Sequence, residues 1–277
     1  MLIADAQVHV WEPETPGDPW PEGGQKAATR HRDAISPQML LQEMDAVGVD
    51  RAVLVPPFFQ GYRNDYTIQA ANDHPDRFRV LPRLDPRAAD GPGDLKALMD
   101  EPHVLGLRFV LNPAAGVVLD DGSLDWLWPI ASDQGILVMM MAAGQIAGVD
   151  ELAGRYPDLR LTIDHLGVGP SKDAALAGDI EAVCRLARHP NLSIKATTVP
   201  AYSTEPYPYP SLHPLLEQVL DAYGPARVFW GSDLSRLPGT YGDLVTLFHD
   251  EFPFLKGDDL DAVMGKSLCD WIGWPTD

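Results

Sequence analysis

The chain is poor in cysteine and in positive charge, and it has no long apolar run. Only two cysteines occur in 277 residues, Cys184 and Cys269, each in a helical pattern and neither in a CxxC or CxxH context. A disulfide framework and a zinc-finger pattern are both excluded. Lysine and arginine total 21 against 40 aspartate and glutamate, a formal charge of −19. Such a field repels nucleic-acid phosphates and anionic membrane surfaces, so neither is an expected partner. It also disfavours acids at long range, so an acidic substrate needs local arginines and lysines to receive it. The longest apolar run, Ile136 to Ala143, falls far short of the roughly 20 residues of a membrane helix. The opening MLIADAQVHV has no basic segment followed by an apolar one, and a soluble cytoplasmic protein is expected. The turn after the first strand has no GxGxxG, which weakens a dinucleotide-binding doubly wound sheet.

What is present is alternation. Strand-like apolar runs cover Leu2 to Val8, Arg51 to Val55, Phe78 to Leu84, Val104 to Leu111, Ile136 to Met141, Leu159 to Asp164, Leu192 to Ala196 and Arg227 to Trp230. Helical patterns lie between them at Pro37 to Val47, Tyr66 to Asn72, Leu124 to Gln134, Ile146 to Tyr156, Asp173 to Arg188 and Leu212 to Tyr223. Gly48, Pro75, Gly135, Pro157, Pro190 and Gly224 punctuate the helix-to-strand junctions. Eight strand–helix units with near-continuous apolar strands predict a (β/α)8 TIM barrel, with no linker and residues 1–277 forming one barrel domain. Long loops follow the first strand, Glu12 to Ile35, and the seventh, Thr198 to Pro210.

In such barrels chemistry sits at the C-terminal ends of the strands. Those ends carry Gln7 and His9, Arg83 and Asp85, Arg108, Asp164 and His165, Lys195, and Asp233. The fifth strand ends in Met139-Met140-Met141, an apolar wall. In the stretch IADAQVHVW, alternation puts Gln7 and His9 on one face and Val8 on the other, so two polar groups share a face that a bland core would leave apolar.

DAQVHVW, GLRFVLN, TIDHLG, NLSIKAT and VFWGSDLSRLP together resemble the amidohydrolase superfamily, in particular its branch of pyrone-dicarboxylate lactonases, fuconolactonases and sulfomuconolactone hydrolases. The resemblance covers nearly the whole chain and implies a TIM barrel that opens a lactone or similar ester. It places active-site roles on His9, His165 and Asp233, and contacts to substrate carboxylates on Arg108 and Lys195. The family's first strand usually ends His-x-His, and here Gln7 replaces the first histidine. An amide oxygen is a poor zinc ligand, so the leading expectation is chemistry without a cofactor. The alternative is one divalent metal, zinc or manganese, on His9, His165 and Asp233.

Lactone hydrolysis requires a water, a base and donors facing the developing oxyanion. Asp233 is the expected base, His9 and His165 the carbonyl-polarising donors, and Gln7 a further donor to substrate. Arg83, Arg108 and Lys195 are the expected substrate-binding cations. The bland readings are a helix cap for Asp233, a satisfied core histidine for His165, and simple ion pairs for Arg108 and Lys195. The expected substrate is a small lactone, carboxylated like a pyrone or muconolactone of aromatic catabolism. The protein is compatible with a homo-oligomer. Rival functions are a metal-dependent decarboxylase and a barrel that binds a small acid without turning it over.

Overall fold

The computed structural model describes residues 1–17, 19–20, 34–111, 118–236 and 239–276. Most of the loop expected after the first strand lies outside them.

Among the described residues, eight strands alternate with helices in one repeated order. They are β1 (Ala4–Val8), β2 (Arg51–Leu54), β3 (Phe78–Val80), β4 (Gly106–Val110), β5 (Leu137–Met141), β6 (Leu161–Ile163), β7 (Leu192–Ala196) and β8 (Val228–Trp230). The helices that follow them in turn are α1 (Pro37–Val47), α2 (Asp65–Asp73), α3 (Gly91–Met99), α4 (Leu127–Gln134), α5 (Ile146–Arg155), α6 (Ala177–Arg185), α7 (His213–Tyr223) and α8 (Tyr241–Thr246). Two short helices, α9 (Gly257–Asp261) and α10 (Ser267–Ile272), close the chain.

All ladders are parallel, in two arcs, β1 to β3 and β4 to β8. The arcs are joined between β3 and β4 by a parallel bridge from Val80 to Val104 and by the Leu105 N–H on the Val80 carbonyl, 3.1 Å. At the other seam the Asp233 N–H donates to the Gln7 carbonyl at 2.9 Å. That closure gives the TIM barrel expected from the alternation.

Local chemistry sets the boundaries. In α1 the Ser36 hydroxyl accepts from the Met39 N–H, Pro37 opens the first turn, and Gly48 ends the helix at φ 75°, a conformation that costs glycine little. Helix α3 was not among the sequence-based helices, because its opening Gly91-Pro92-Gly93 reads as a turn; Asp90 caps it by accepting from Gly93. Strand β3 stops short of the expected Leu84 because Pro82 has no N–H to continue a ladder. Outward residues such as Leu54, Val80, Phe109, Met140 and Ile194 belong to the large core beneath the helices. Val53, Leu137, Met139 and Phe229 belong to a second cluster with Ile272 and Trp274.

One irregularity matters for function. Asp5 pairs with Ala52 and Val8 with Leu54, so Ala6 and Gln7 together stand opposite Val53. This is a β-bulge, which re-aims a side chain at the cost of a ladder bond. The Gln7 N–H freed by the bulge is taken by Asp5 Oδ1 at 2.9 Å.

Candidate active site

The bulge turns Gln7 to the side of His9. Both are buried, and both meet residues delivered by strands on the other side of the barrel. From β7, Lys195 Nζ donates to Gln7 Oε1 at 3.0 Å. From the turn after β6, His165 Nε2 lies 3.3 Å from Gln7 Nε2. From the turn after β8, Asp233 Oδ1 lies 3.0 Å from His9 Nε2.

The hydrogen positions follow from what each group can do. An ammonium only donates, so the Gln7 oxygen faces Lys195 and its N–H2 faces His165. His165 Nε2 therefore accepts, and the ring hydrogen sits on Nδ1, 2.7 Å from the hydroxyls of both Thr197 and Thr198. Burial holds the His165 pKa down at about 4 against the pull of Asp233 and Asp164, so the ring is neutral at neutral pH. For His9, Nδ1 lies 2.7 Å from the Val55 carbonyl, which can only accept, so Nδ1 carries a hydrogen. A lone pair on Nε2 would then face the Asp233 carboxylate, and the contact requires a hydrogen between them. The His9–Asp233 pair therefore holds one proton beyond a neutral imidazole and a carboxylate.

Beside this pair sits a buried ion triad. Lys195 Nζ is 2.9 Å from Asp164 Oδ1, and Arg108 Nε donates to Asp164 Oδ2 at 3.0 Å. Burial alone would raise the Asp164 pKa; the two cations outweigh it and hold the carboxyl well below its ordinary range. Burial pulls the Lys195 pKa down, and Asp164 opposes that. Two cations share one carboxylate. Arg108 spends one of its five N–H donors on it.

Asp5 underlies the arrangement without entering it. Its carboxylate is fully buried and accepts from the Gln7 N–H, the Ser232 N–H at 2.9 Å and the Tyr241 hydroxyl at 2.8 Å. It thus ties the bulge of β1 to the residue preceding Asp233. Gly231 is required nearby: a Cβ there would lie 2.6 Å from the Thr197 methyl and 3.0 Å from Asp5 Oδ1.

Of the residues expected from sequence, Gln7, His9, His165, Asp233, Lys195 and Arg108 converge. Arg83 does not join them. Its guanidinium turns away to the Phe58 and Gly61 carbonyls and lies 4.9 Å over the Tyr62 ring, in the wall of a cavity of about 320 Å³ with Asn64, Asp85 and Asp94. Burial first, then nearby Arg108, lowers its pKa to about 10. Arg108 and Lys195 do form the ion pairs of the bland reading, but both with one partner. The polarising role expected for His165 does not fit its bonds, because both ring nitrogens are engaged inside the protein. Thr198, Thr197, Asp5 and Tyr241 were missed. Asp5 lies in the quoted DAQVHVW, and Thr197 at the end of NLSIKAT.

A metal does not fit this donor set. Among the described residues no three His, Cys, Asp or Glu side chains are arranged to hold an ion. The Gln7 oxygen is taken by a cation, and its N–H occupies the lone pair of His165 that an ion would need.

The loop after β7 is anchored by Asp173, whose carboxylate accepts from Ser203 Oγ at 2.7 Å, Thr204 N–H at 2.9 Å, Thr204 Oγ1 at 2.6 Å and Ser211 Oγ at 3.3 Å. Those donors, Thr204 first, hold its pKa down at about 2. Among the described residues no helix is long and apolar enough to cross a membrane.

The chain is 29% identical over 253 residues to L-fucono-1,5-lactonase of Burkholderia ambifaria, covering 86% of this chain and 83% of that one. It is also 29% identical over 222 residues to 4-sulfomuconolactone hydrolase of Hydrogenophaga intermedia, covering 76% of this chain and 71% of that one. The fold is similar to that of a probable 2-pyrone-4,6-dicarboxylic acid hydrolase of Acinetobacter baumannii crystallised with citric acid: TM-score 0.79 at 17% identity, over 99% of this chain and 100% of that one. The amidohydrolase family model matches residues 4–270, strand β1 through helix α10, and the chain belongs to the amidohydrolase family.

Proposed function

We propose that the protein hydrolyses a small lactone that carries a carboxylate, using water activated by Asp233. The observation that carries this reading is the His9–Asp233 pair at 3.0 Å, set beside two buried cations that share one carboxylate. The named lactonase relatives support the reaction class. The surplus positive charge supports an acidic substrate, since a buried cation is stabilised by a directly bound anion.

In this reading Asp233 accepts a proton from water as the water oxygen bonds to the lactone carbonyl carbon. The carbonyl π electrons move onto oxygen, where Lys195 and the second N–H of Gln7 are the nearby donors. Collapse of the tetrahedral intermediate breaks the bond to the ring oxygen, and the proton held by the His9–Asp233 pair passes to that oxygen. The new carboxylic acid ionises at neutral pH and releases one proton per turnover. Neutral His165 acts on this chemistry through Gln7 and Thr198, by holding their orientation.

Proton release, followed with a pH indicator over a panel of carboxylated and neutral lactones, tests the proposal. The expected result is turnover of at least one carboxylated lactone with kcat/KM at least about tenfold above its neutral counterpart, the value of roughly one charged hydrogen bond. Equal or better turnover of the neutral lactones would overturn the acidic-substrate assignment. Binding of the panel without proton release would overturn the hydrolase reading.

A further inference from the structure

Three residues that are not glycine adopt a left-handed backbone conformation around one hydrogen-bonded chain: His165 at φ 54°, Thr198 at φ 64° and Asp233 at φ 50°. That conformation is unusual for any side chain and most unfavourable for a β-branched one such as threonine. Strain of this kind persists where the surrounding structure over-determines it, and it concentrates at functional sites. Here the three strained backbones bring three side chains into line.

The chain has a direction. His165 Nδ1 carries its hydrogen, because Lys195 takes the Gln7 oxygen and turns the Gln7 N–H2 to His165 Nε2, and it lies 2.7 Å from Thr198 Oγ1. Thr198 Oγ1 lies 3.1 Å from Asp233 Oδ2, and a carboxylate can only receive the hydroxyl hydrogen. The Thr198 hydroxyl thus donates to the oxygen of Asp233 that does not face His9, and it shares the one Nδ1 hydrogen of the neutral histidine with Thr197. The Thr197 hydroxyl accepts from the His165 backbone N–H at 3.2 Å as well as meeting Nδ1, and it is the Thr198 hydroxyl that reaches Asp233.

We infer that Thr198 is a positioning residue of the reaction: its hydroxyl locks Asp233 Oδ2, so that Asp233 presents Oδ1 to His9 and is held in one orientation toward the attacking water. This rests on the proposed lactone hydrolysis for its kinetic consequence and on hydrogen-bond geometry alone for its structural one. The Thr198 hydroxyl is engaged by His165 and Asp233. Its effect is on the rate at which bound substrate is attacked.

Thr198→Val keeps the shape and β-branching and removes the hydroxyl, and Thr198→Ser restores it. A misplacement of about 1 Å at a reacting centre can cost about 100-fold, so Thr198→Val is expected to lower kcat by about 10- to 100-fold with KM within about twofold of wild type. Thr198→Ser is expected to recover most of the rate. A Thr198→Val variant with wild-type kcat, or a Thr198→Ser variant as slow as the valine, overturns the assignment. A second readout does not depend on turnover: nitrogen-15 NMR of the His165 ring. The wild type is expected to be neutral with its hydrogen on Nδ1, and that proton resonance is expected to shift in Thr198→Val. A ring protonated on Nε2, or a resonance unmoved by the substitution, overturns the directed chain whether or not any lactone is turned over. Absence of turnover by the wild type with the expected NMR result would instead count against the lactonase reading alone.

Discussion

Replacing Asp233 with asparagine is expected to lower kcat by roughly 10²- to 10⁴-fold, the range for removal of a positioned general base, with a stability loss of about 1 to 3 kcal/mol for the one buried donor left unserved. The amide has the carboxylate's shape but cannot take the water proton. It also cannot serve both neighbours: His9 Nε2–H and the Thr198 hydroxyl each donate to a different oxygen of Asp233, and asparagine offers one oxygen and one N–H2. Steady-state kinetics on the best carboxylated lactone, with thermal unfolding measured alongside, checks this. The helix-cap reading of Asp233 predicts a different pattern, a stability loss with nearly unchanged kcat, and would be established by it.

Replacing Asp5 with alanine is expected to give the largest loss of stability. Three buried donors, the Gln7 and Ser232 N–H groups and the Tyr241 hydroxyl, would lose their common acceptor. At about 1 to 3 kcal/mol for each unsatisfied buried donor, partly relieved by entering water, the expected loss is about 3 to 6 kcal/mol. Urea unfolding would reveal it. Activity should fall as well, because Asp5 ties the bulge that aims Gln7 to the strand end that carries Asp233. A loss under about 1 kcal/mol would mean that neighbouring groups or water replace the carboxylate.

The same residue gives a pH signature. Burial raises the Asp5 pKa from 3.8 to about 6, despite the donors that favour its ionised form. The folded state therefore holds a proton that the unfolded state has released between about pH 4 and pH 6. By linkage, the contribution of this group is fully present below about pH 4 and is lost as pH rises through about 6. Asp5→Asn has no such titration, so its stability difference from wild type should narrow as pH rises through that window.

Sequence periodicity made the barrel legible because most strands are compact apolar runs and glycine or proline marks many of the helix-to-strand junctions. The shared face of Gln7 and His9 was expected from alternation, and the two side chains do lie together; the role of His9 came from the family resemblance and that of Gln7 from its amide donors. Strict alternation would also put Asp5 on that face, whereas the bulge at Ala6–Gln7 sends it to Tyr241 on the other side. Nothing in DAQVH marks a bulge, because the unpaired Gln7 N–H is satisfied only through a bend in the chain. Arg83 was misplaced for a related reason. The strand ends before it at Pro82, and side-chain direction no longer follows from spacing. Thr198 escaped notice because its reach to Asp233 depends on a left-handed backbone that a threonine seldom adopts.

The proposed hydrolysis requires water to add to a lactone carbonyl in this barrel. Single turnover in heavy-oxygen water, with the product read by mass spectrometry, tests that addition. The expected product is heavier than the substrate by one labelled water, with the label in the new carboxylate. A product that has lost carbon dioxide, or one whose label lies on the former ring oxygen, would contradict it.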